Sequence, residues 1–151
     1  RVLPQDHLDI ATSMNDLANI FLGLGRRNHA LHTHQKALQF YKRALPQDHP
    51  NIAISMSNLA STFSDLGRRG DALKLEQQVL EVRKRVLPQG HPHIVSSMNK
   101  LALLFLAFKR FGDALKLQQE ALELQKRALP QDHPDIATSM NQLASTVLDF
   151  G

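Results

Sequence analysis

The chain has 151 residues, a formal net charge of +4 and no cysteine, which excludes disulfide frameworks, thiolate catalysis and cysteine-ligated zinc. The longest apolar run, Leu101 to Phe108, falls far short of the roughly 20 residues of a membrane span, and no signal-like amino terminus is visible. These features predict a soluble, cytoplasmic protein without a membrane partner.

Along the chain one hexapeptide recurs: LPQDHL at Leu3 to Leu8, LPQDHP at Leu45 to Pro50, LPQGHP at Leu87 to Pro92 and LPQDHP at Leu129 to Pro134. The starts, 3, 45, 87 and 129, are 42 residues apart. A fixed period of this size marks a repeat array whose units bury their apolar faces on one another. The expected organisation is a single array over residues 1–151, with repeats at about 3–44, 45–86 and 87–128 and a half repeat at 129–151. Arg1 and Val2 match Arg85 and Val86, which close a repeat, and the fourth unit stops at Gly151. The sequence therefore reads as a piece of a longer array.

Within each unit the pattern predicts two helices, seven in all. In the second repeat Ile52, Met56, Leu59, Ala60 and Phe63 share one face, giving a first helix from about Pro50 to Leu66. Gly67 supplies a left-handed stop, and Arg68 and Arg69 suit the negative end of a helix dipole. The second helix, from about Gly70 to Leu87, carries Ala72, Leu75, Val79, Val82 and Val86 on one stripe and Leu73, Leu80 and Leu87 on another. Two apolar stripes require two covers.

The hexapeptide is the joint between units. Pro46 biases Leu45 away from helical angles and ends one repeat, while Pro50 sits where the next helix needs no backbone donor. Asp48 is expected to cap that helix, and Asp135, three residues after Asp132, adds charge at the positive end of the fourth.

HEAT and armadillo units have similar periods, and the side-chain pattern separates them. Met56, Leu59, Ala60, Phe63, Gly67, Ala72, Val79 and Leu80 resemble the tetratricopeptide repeat signature. The first repeat matches with Met14, Leu17, Ala18, Phe21, Gly25, Ala30, Ala37 and Leu38, the third with Met98, Leu101, Ala102, Phe105, Ala114, Ala121 and Leu122, and the half repeat with Met140, Leu143, Ala144 and Gly151. The long unit with its DHP joint is most similar to the repeats of kinesin light chains, and equally to arrays at the carboxyl end of many signal-transducing NTPases. Three departures stand out. Lys109 replaces the turn glycine of the third repeat, Arg27 and Arg69 stand where an aromatic is common (Phe111 keeps it), and His34, Glu76 and Gln118 occupy the usual aromatic position of the second helix.

The resemblance implies an all-α, right-handed α-solenoid of antiparallel helix pairs whose first helices line a concave face. By the same resemblance Thr12, Asn15, Asn19 and Leu22, then Ile54, Ser57, Ser61 and Ser64, face that groove. Ser96, Asn99, Leu103 and Leu106 continue the series, which ends on Thr138, Asn141, Ser145 and Leu148. An amide both donates and accepts, so Asn15, Asn99 and Asn141 can hold the backbone of an extended peptide whatever its sequence. Lys100 lies near the groove with Asp16 opposing it, and a basic cluster for a terminal carboxylate is absent from that column. A protein or peptide ligand is therefore the expected partner, of unspecified sequence.

Other chemistry is weaker. The basic pairs Arg26 and Arg27, Lys42 and Arg43, Arg68 and Arg69, Lys109 and Arg110, and Lys126 and Arg127, with the run Arg83 to Arg85, fall at predicted helix ends and lack interleaved aromatics, so nucleic acid is not expected. His29, His32 and His34, and His91 and His93, have no acidic ligand at fixed spacing, so no metal, other cofactor or catalytic group is assigned. The alternative function is self-association, or a sensor array of a larger signalling protein, through terminal apolar faces such as Met140, Leu143, Val147 and Phe150.

Overall fold

The computed structural model describes residues 4–150. The expectations placed on Arg1, Val2, Leu3 and Gly151 lie outside that range. Seven helices are the regular elements among the described residues: α1 (Pro4–Gly23), α2 (Arg27–Ala44), α3 (Pro50–Asp65), α4 (Arg69–Val86), α5 (Pro92–Ala107), α6 (Phe111–Ala128) and α7 (Pro134–Phe150). For the second repeat the expected and observed helix ends agree within one residue.

The chain divides into two compact units, Arg1–Val82 and Arg83–Gly151, with the division inside α4. In the first unit α2 packs against both α1 and α3. Its core joins Ala11, Leu38, Tyr41, Ile52, Ala53, Met56, Leu59 and Val79, with Leu8, Leu31, Phe40, Phe63, Leu75 and Val82 packed around them. In the second, α6 packs against α5 and α7. Ile94, Met98, Leu101 and Phe105 of α5 are buried with Leu122 and Leu124 of α6 and Ile136 of α7. Burying each large apolar side chain contributes about 1.5–3 kcal/mol. Ala30, Ala72 and Ala114, one near the start of each second helix, are fully buried, which restricts the position to a side chain of one carbon.

The turns inside the repeats close the way the glycine pattern predicts. Gly67 has φ +78°, its amide donates to the Ser64 carbonyl, and the Arg68 amide reaches back to the Phe63 carbonyl at 2.8 Å. This pair of bonds satisfies the last carbonyls of α3. Arg68 completes the turn with its side chain, placing its guanidinium 4.6 Å from the Phe63 ring centre and donating from Nε to Asp71 at 2.8 Å. Arg110 repeats this over Phe105 and onto Asp113. In that third turn the left-handed residue is Lys109, at φ +58°, where a side chain is strained.

The joints differ from expectation in the capping residue. His49, not Asp48, is the N-cap of α3, and its Nδ1 accepts from the Asn51 amide at 3.1 Å. His91 and His133 do the same for the amides of His93 and Asp135. The reason is register: the proline occupies the first helical position, so the residue directly before it is the cap and the aspartate stands one place too far out. The first copy differs over its described residues, 4–8. With Leu8 in place of the proline, residues 4–8 continue as helix in α1, and His7, deprived of a capping partner, stacks edge-on to Phe40 while its Nδ1 is buried without a hydrogen bond. The third copy departs too, since Gly90 has φ +83° where the others carry aspartate.

Replacing His133 with alanine is expected to lower stability by about 1 kcal/mol, while asparagine, a good N-cap, retains most of it; denaturant titration of the two variants measures the difference. Lys109→Gly is expected to raise stability by about 0.5–1 kcal/mol through relief of the left-handed strain, read as an upward shift of the melting temperature.

Candidate functional site

Polar side chains recur at two buried positions of the second helices, and their partners decide what remains for a ligand. Tyr41, Arg83 and Gln125 are 42 residues apart, and so are Ser55, Ser97 and Ser139. Arg83 Nη1 donates to Ser97 Oγ at 2.6 Å and to the His93 carbonyl at 3.1 Å, and Ser139 Oγ donates to Gln125 Oε1. Tyr41 instead shares a 3.1 Å hydrogen bond with Thr12, whose own proton goes to the Leu8 carbonyl, so the tyrosine hydroxyl is the donor. Ser55 Oγ is left buried without a partner.

The second position is His34, Glu76 and Gln118, all buried. His34 Nδ1 lies 2.9 Å from Thr62 Oγ1, and Thr62 donates its proton to the Asn58 carbonyl. The imidazole proton therefore sits on Nδ1, and Nε2 carries a buried lone pair without a partner. Burial pushes the His34 pKa below its ordinary value. The His93 pKa is lowered as well, first by burial and then by the charges of Arg83 and His91. Glu76 accepts from Ser57 Oγ at 3.2 Å on Oε2. Gln118 Oε1 has no hydrogen bond, a deficit of about 1–3 kcal/mol for a buried acceptor.

Two hollows lie side by side in the Arg83–Gly151 unit. The first, about 350 Å³, is walled by Val95, Ser96, Asn99, Lys100 and Leu103 of α5, by Gln125 and Leu129 at the end of α6, and by Asp135, Thr138 and Ser139 of α7. The second, about 180 Å³, is lined by Asn99, Leu103, Leu106, Gln118, Gln142, Ser145, Thr146 and Asp149. Asn99 and Leu103 line both, so the hollows adjoin along one face of α5. On α1 a third hollow of about 320 Å³ is lined by Asp9, Ile10, Ser13, Met14 and Leu17.

The structure brings together Ser96, Asn99, Lys100, Leu103, Leu106, Thr138 and Ser145 of the expected groove residues. Asn141 is exposed and lines neither hollow, and Leu148 belongs to a separate apolar surface with Leu122, Met140, Leu143, Ala144 and Val147. Ser57 is only 2% exposed with its hydroxyl given to Glu76, and so does not stand open on a groove. Ser61 is exposed but donates to the Ser57 carbonyl. Thr12 and Asn19 are exposed and Asn15 is half-buried, its Oδ1 without a partner, and none of the three lines the α1 hollow. Sequence reasoning missed Gln118, Gln142, Asp135 and Asp149. For Gln118 the signal was an amide at a position where the repeat pattern calls for a buried aromatic. His29, one of the histidines weighed as a metal ligand, lies against the Phe21 ring, and no group of three or more His, Asp or Glu side chains among the described residues is placed to hold a metal ion.

Two family models, both described as Tetratricopeptide repeat, match residues 9–85 and 94–135. The chain belongs to the tetratricopeptide repeat family. Such repeats are protein-interaction scaffolds and typically non-catalytic. Among solved structures this tetratricopeptide chain is similar to a Podosopora anserina kinesin light chain candidate with nearly identical TPR-like repeats, at 24% identity and a TM-score of 0.79 over 89% of this chain and 64% of that one. It is also similar to BtubC (BKLC) from P. vanneervenii, at 19% identity and a TM-score of 0.83 over 99% of this chain and 60% of that one. The apo form of RapI matches at 14% identity and a TM-score of 0.78, over 95% of this chain and 38% of that one. These likenesses show the all-α fold, and the chain spans less than two thirds of each of these three proteins. No curated protein sequence matches it. No helix among the described residues is long and apolar enough to cross a membrane.

The lowered His34 pKa gives a pH dependence. The folded tetratricopeptide chain keeps this imidazole neutral, whereas the unfolded chain protonates it near its ordinary value of 6.5. Its contribution to stability is complete above that value and is lost as the pH falls from there through the lower folded pKa. Denaturant midpoints at pH 7.5 and 5.0 are expected to differ more in the wild type than in His34→Gln, which has no proton to gain.

Proposed function

We propose that the chain is one continuous tetratricopeptide array over residues 1–151 and that it binds an extended segment of a protein partner along the adjoining hollows between α5 and α7. The observation that carries this reading is that Asn99 and Leu103 line both hollows, so a single strand can run past them. Asn99 offers both donor and acceptor to a peptide backbone, while Val95, Leu103 and Leu129 give apolar wall for a side chain. Several basic groups are already engaged within the fold, Arg68 with Asp71, Arg110 with Asp113 and Lys84 with Glu120, which favours a protein partner over nucleic acid.

A second reading is self-association through the apolar face of α7, where Met140 and Val147 are each 50% exposed and Leu148 is 79% exposed. Phe150 is drawn aside from that face, with its ring 5.5 Å from Phe111. Light scattering distinguishes the two readings, since Val147→Asp is expected to dissociate such an oligomer without affecting peptide binding.

Peptides selected from a random display library are expected to bind wild-type protein and to lose roughly two- to tenfold in affinity with Asn99→Ala, the range of one hydrogen bond. Asn141→Ala is expected to have little effect. Equal affinity for wild type and Asn99→Ala, measured by calorimetry, would remove these hollows as the binding surface.

A further inference from the structure

The smaller hollow has a chemical preference of its own. Among the described residues that line it, Asp149 carries the only formal side-chain charge, and Asp149 is exposed. Gln118, only 6% exposed, contributes to the lining, and its buried Oε1 accepts from no group among the described residues. Thr146 commits its proton to the Gln142 carbonyl at 3.0 Å, so what its oxygen offers to a ligand is lone-pair density. Leu103 and Leu106 supply apolar wall beside these acceptors. At the equivalent position of the first repeat, His34 spends one ring nitrogen on Thr62. In the third repeat Thr146, the counterpart of Thr62, leaves Gln118 Oε1 unmet.

A ligand suited to this lining has an apolar stem and a donor-only, positively charged tip. We propose that the hollow receives a lysine or arginine side chain of the bound peptide, with its methylenes along Leu103 and Leu106 and its cationic nitrogen at Asp149, where rotation of the Gln118 side chain brings its unmet, now buried carbonyl oxygen to the same nitrogen. The volume, about 180 Å³, is below the roughly 300–1,000 Å³ of a pocket for a drug-sized molecule and matches a single side chain. Long basic side chains bury their stems against apolar surface while keeping the charge at a polar edge. A carboxylate in the same place would face Asp149 and an unpaired carbonyl, both repulsive to it. The inference rests on the peptide-binding reading and names the side chain that reading leaves open.

The test is a random peptide display library selected on the whole chain. The expected result is a lysine or arginine shared at one position of the enriched peptides. Replacing that residue with norleucine or citrulline is expected to weaken binding by about tenfold in the wild type, the size of one lost charge-assisted hydrogen bond. In Asp149→Asn the same replacement is expected to cost less than about twofold, because the two changes remove one interaction. The side-chain amide signals of Gln118 are expected to shift in NMR spectra with the basic peptide and not with its norleucine counterpart. Asp149 is exposed, so this variant keeps the fold, which its melting curve verifies. Peptides that bind and depend on Asn99 but share no basic residue, or whose basic residue matters equally in Asp149→Asn, overturn this inference and leave the peptide-binding reading standing. Failure to select any peptide overturns both.

Discussion

A backbone amide at the start of each first helix needs an acceptor, and in three of the four joints an imidazole nitrogen provides it. The arrangement depends on the order of two residues. Proline in the first helical position fixes the backbone and lacks a donor, and histidine directly before it places Nδ1 about 3 Å from the next free amide. Each such joint fixes where one helix stops and the next begins, and with that the register of the apolar residues on the helix that follows. Where the proline is missing, at Leu8, the same PQDH letters of residues 4–7 are ordinary helix. The repeat's punctuation is thus written in a pair of residues, and the rest of the hexapeptide follows their lead.

Much of the fold was legible because it rests on period. A 42-residue recurrence and apolar residues at helical spacing are local signals that each unit states again, joined in the first two repeats by a glycine at the turn. The capping residue was less legible, because aspartate is the commoner N-cap and only the register of the proline assigns the role to histidine. The candidate site was legible in part. Of the residues expected on the groove, Asn99, Lys100, Ser96, Thr138 and Ser145 line one or both hollows, whereas Ser57 gives its hydroxyl to Glu76 and Asn141 lines neither. A face angle read from spacing cannot distinguish a serine on a groove from one that answers a buried glutamate contributed by another helix.

The buried polar positions join fold to function. Tyr41, Arg83 and Gln125 stand at equivalent places, and each has a partner in a first helix, chosen from whichever hydroxyl or carbonyl lies within reach. His34, Glu76 and Gln118 form a second such series with less uniform success. Apolar residues there would satisfy burial more simply. Polar ones restrict which helices can lie together, because an unmatched neighbour leaves a donor or acceptor stranded. In the Arg83–Gly151 unit Gln118, the residue that carries the stranded acceptor, is among those that line a hollow.

Gly90 carries a consequence for the units as interchangeable parts. It holds a left-handed backbone angle, and a Cβ built there would come within 2.9 Å of the Ala128 Cβ. The third joint and the end of the third repeat are therefore matched as a pair. Shuffling these blocks to lengthen the array, or averaging their sequences into a consensus, would have to transfer glycine and alanine together, so the inheritance of this segment is by couples of sites rather than by single repeats.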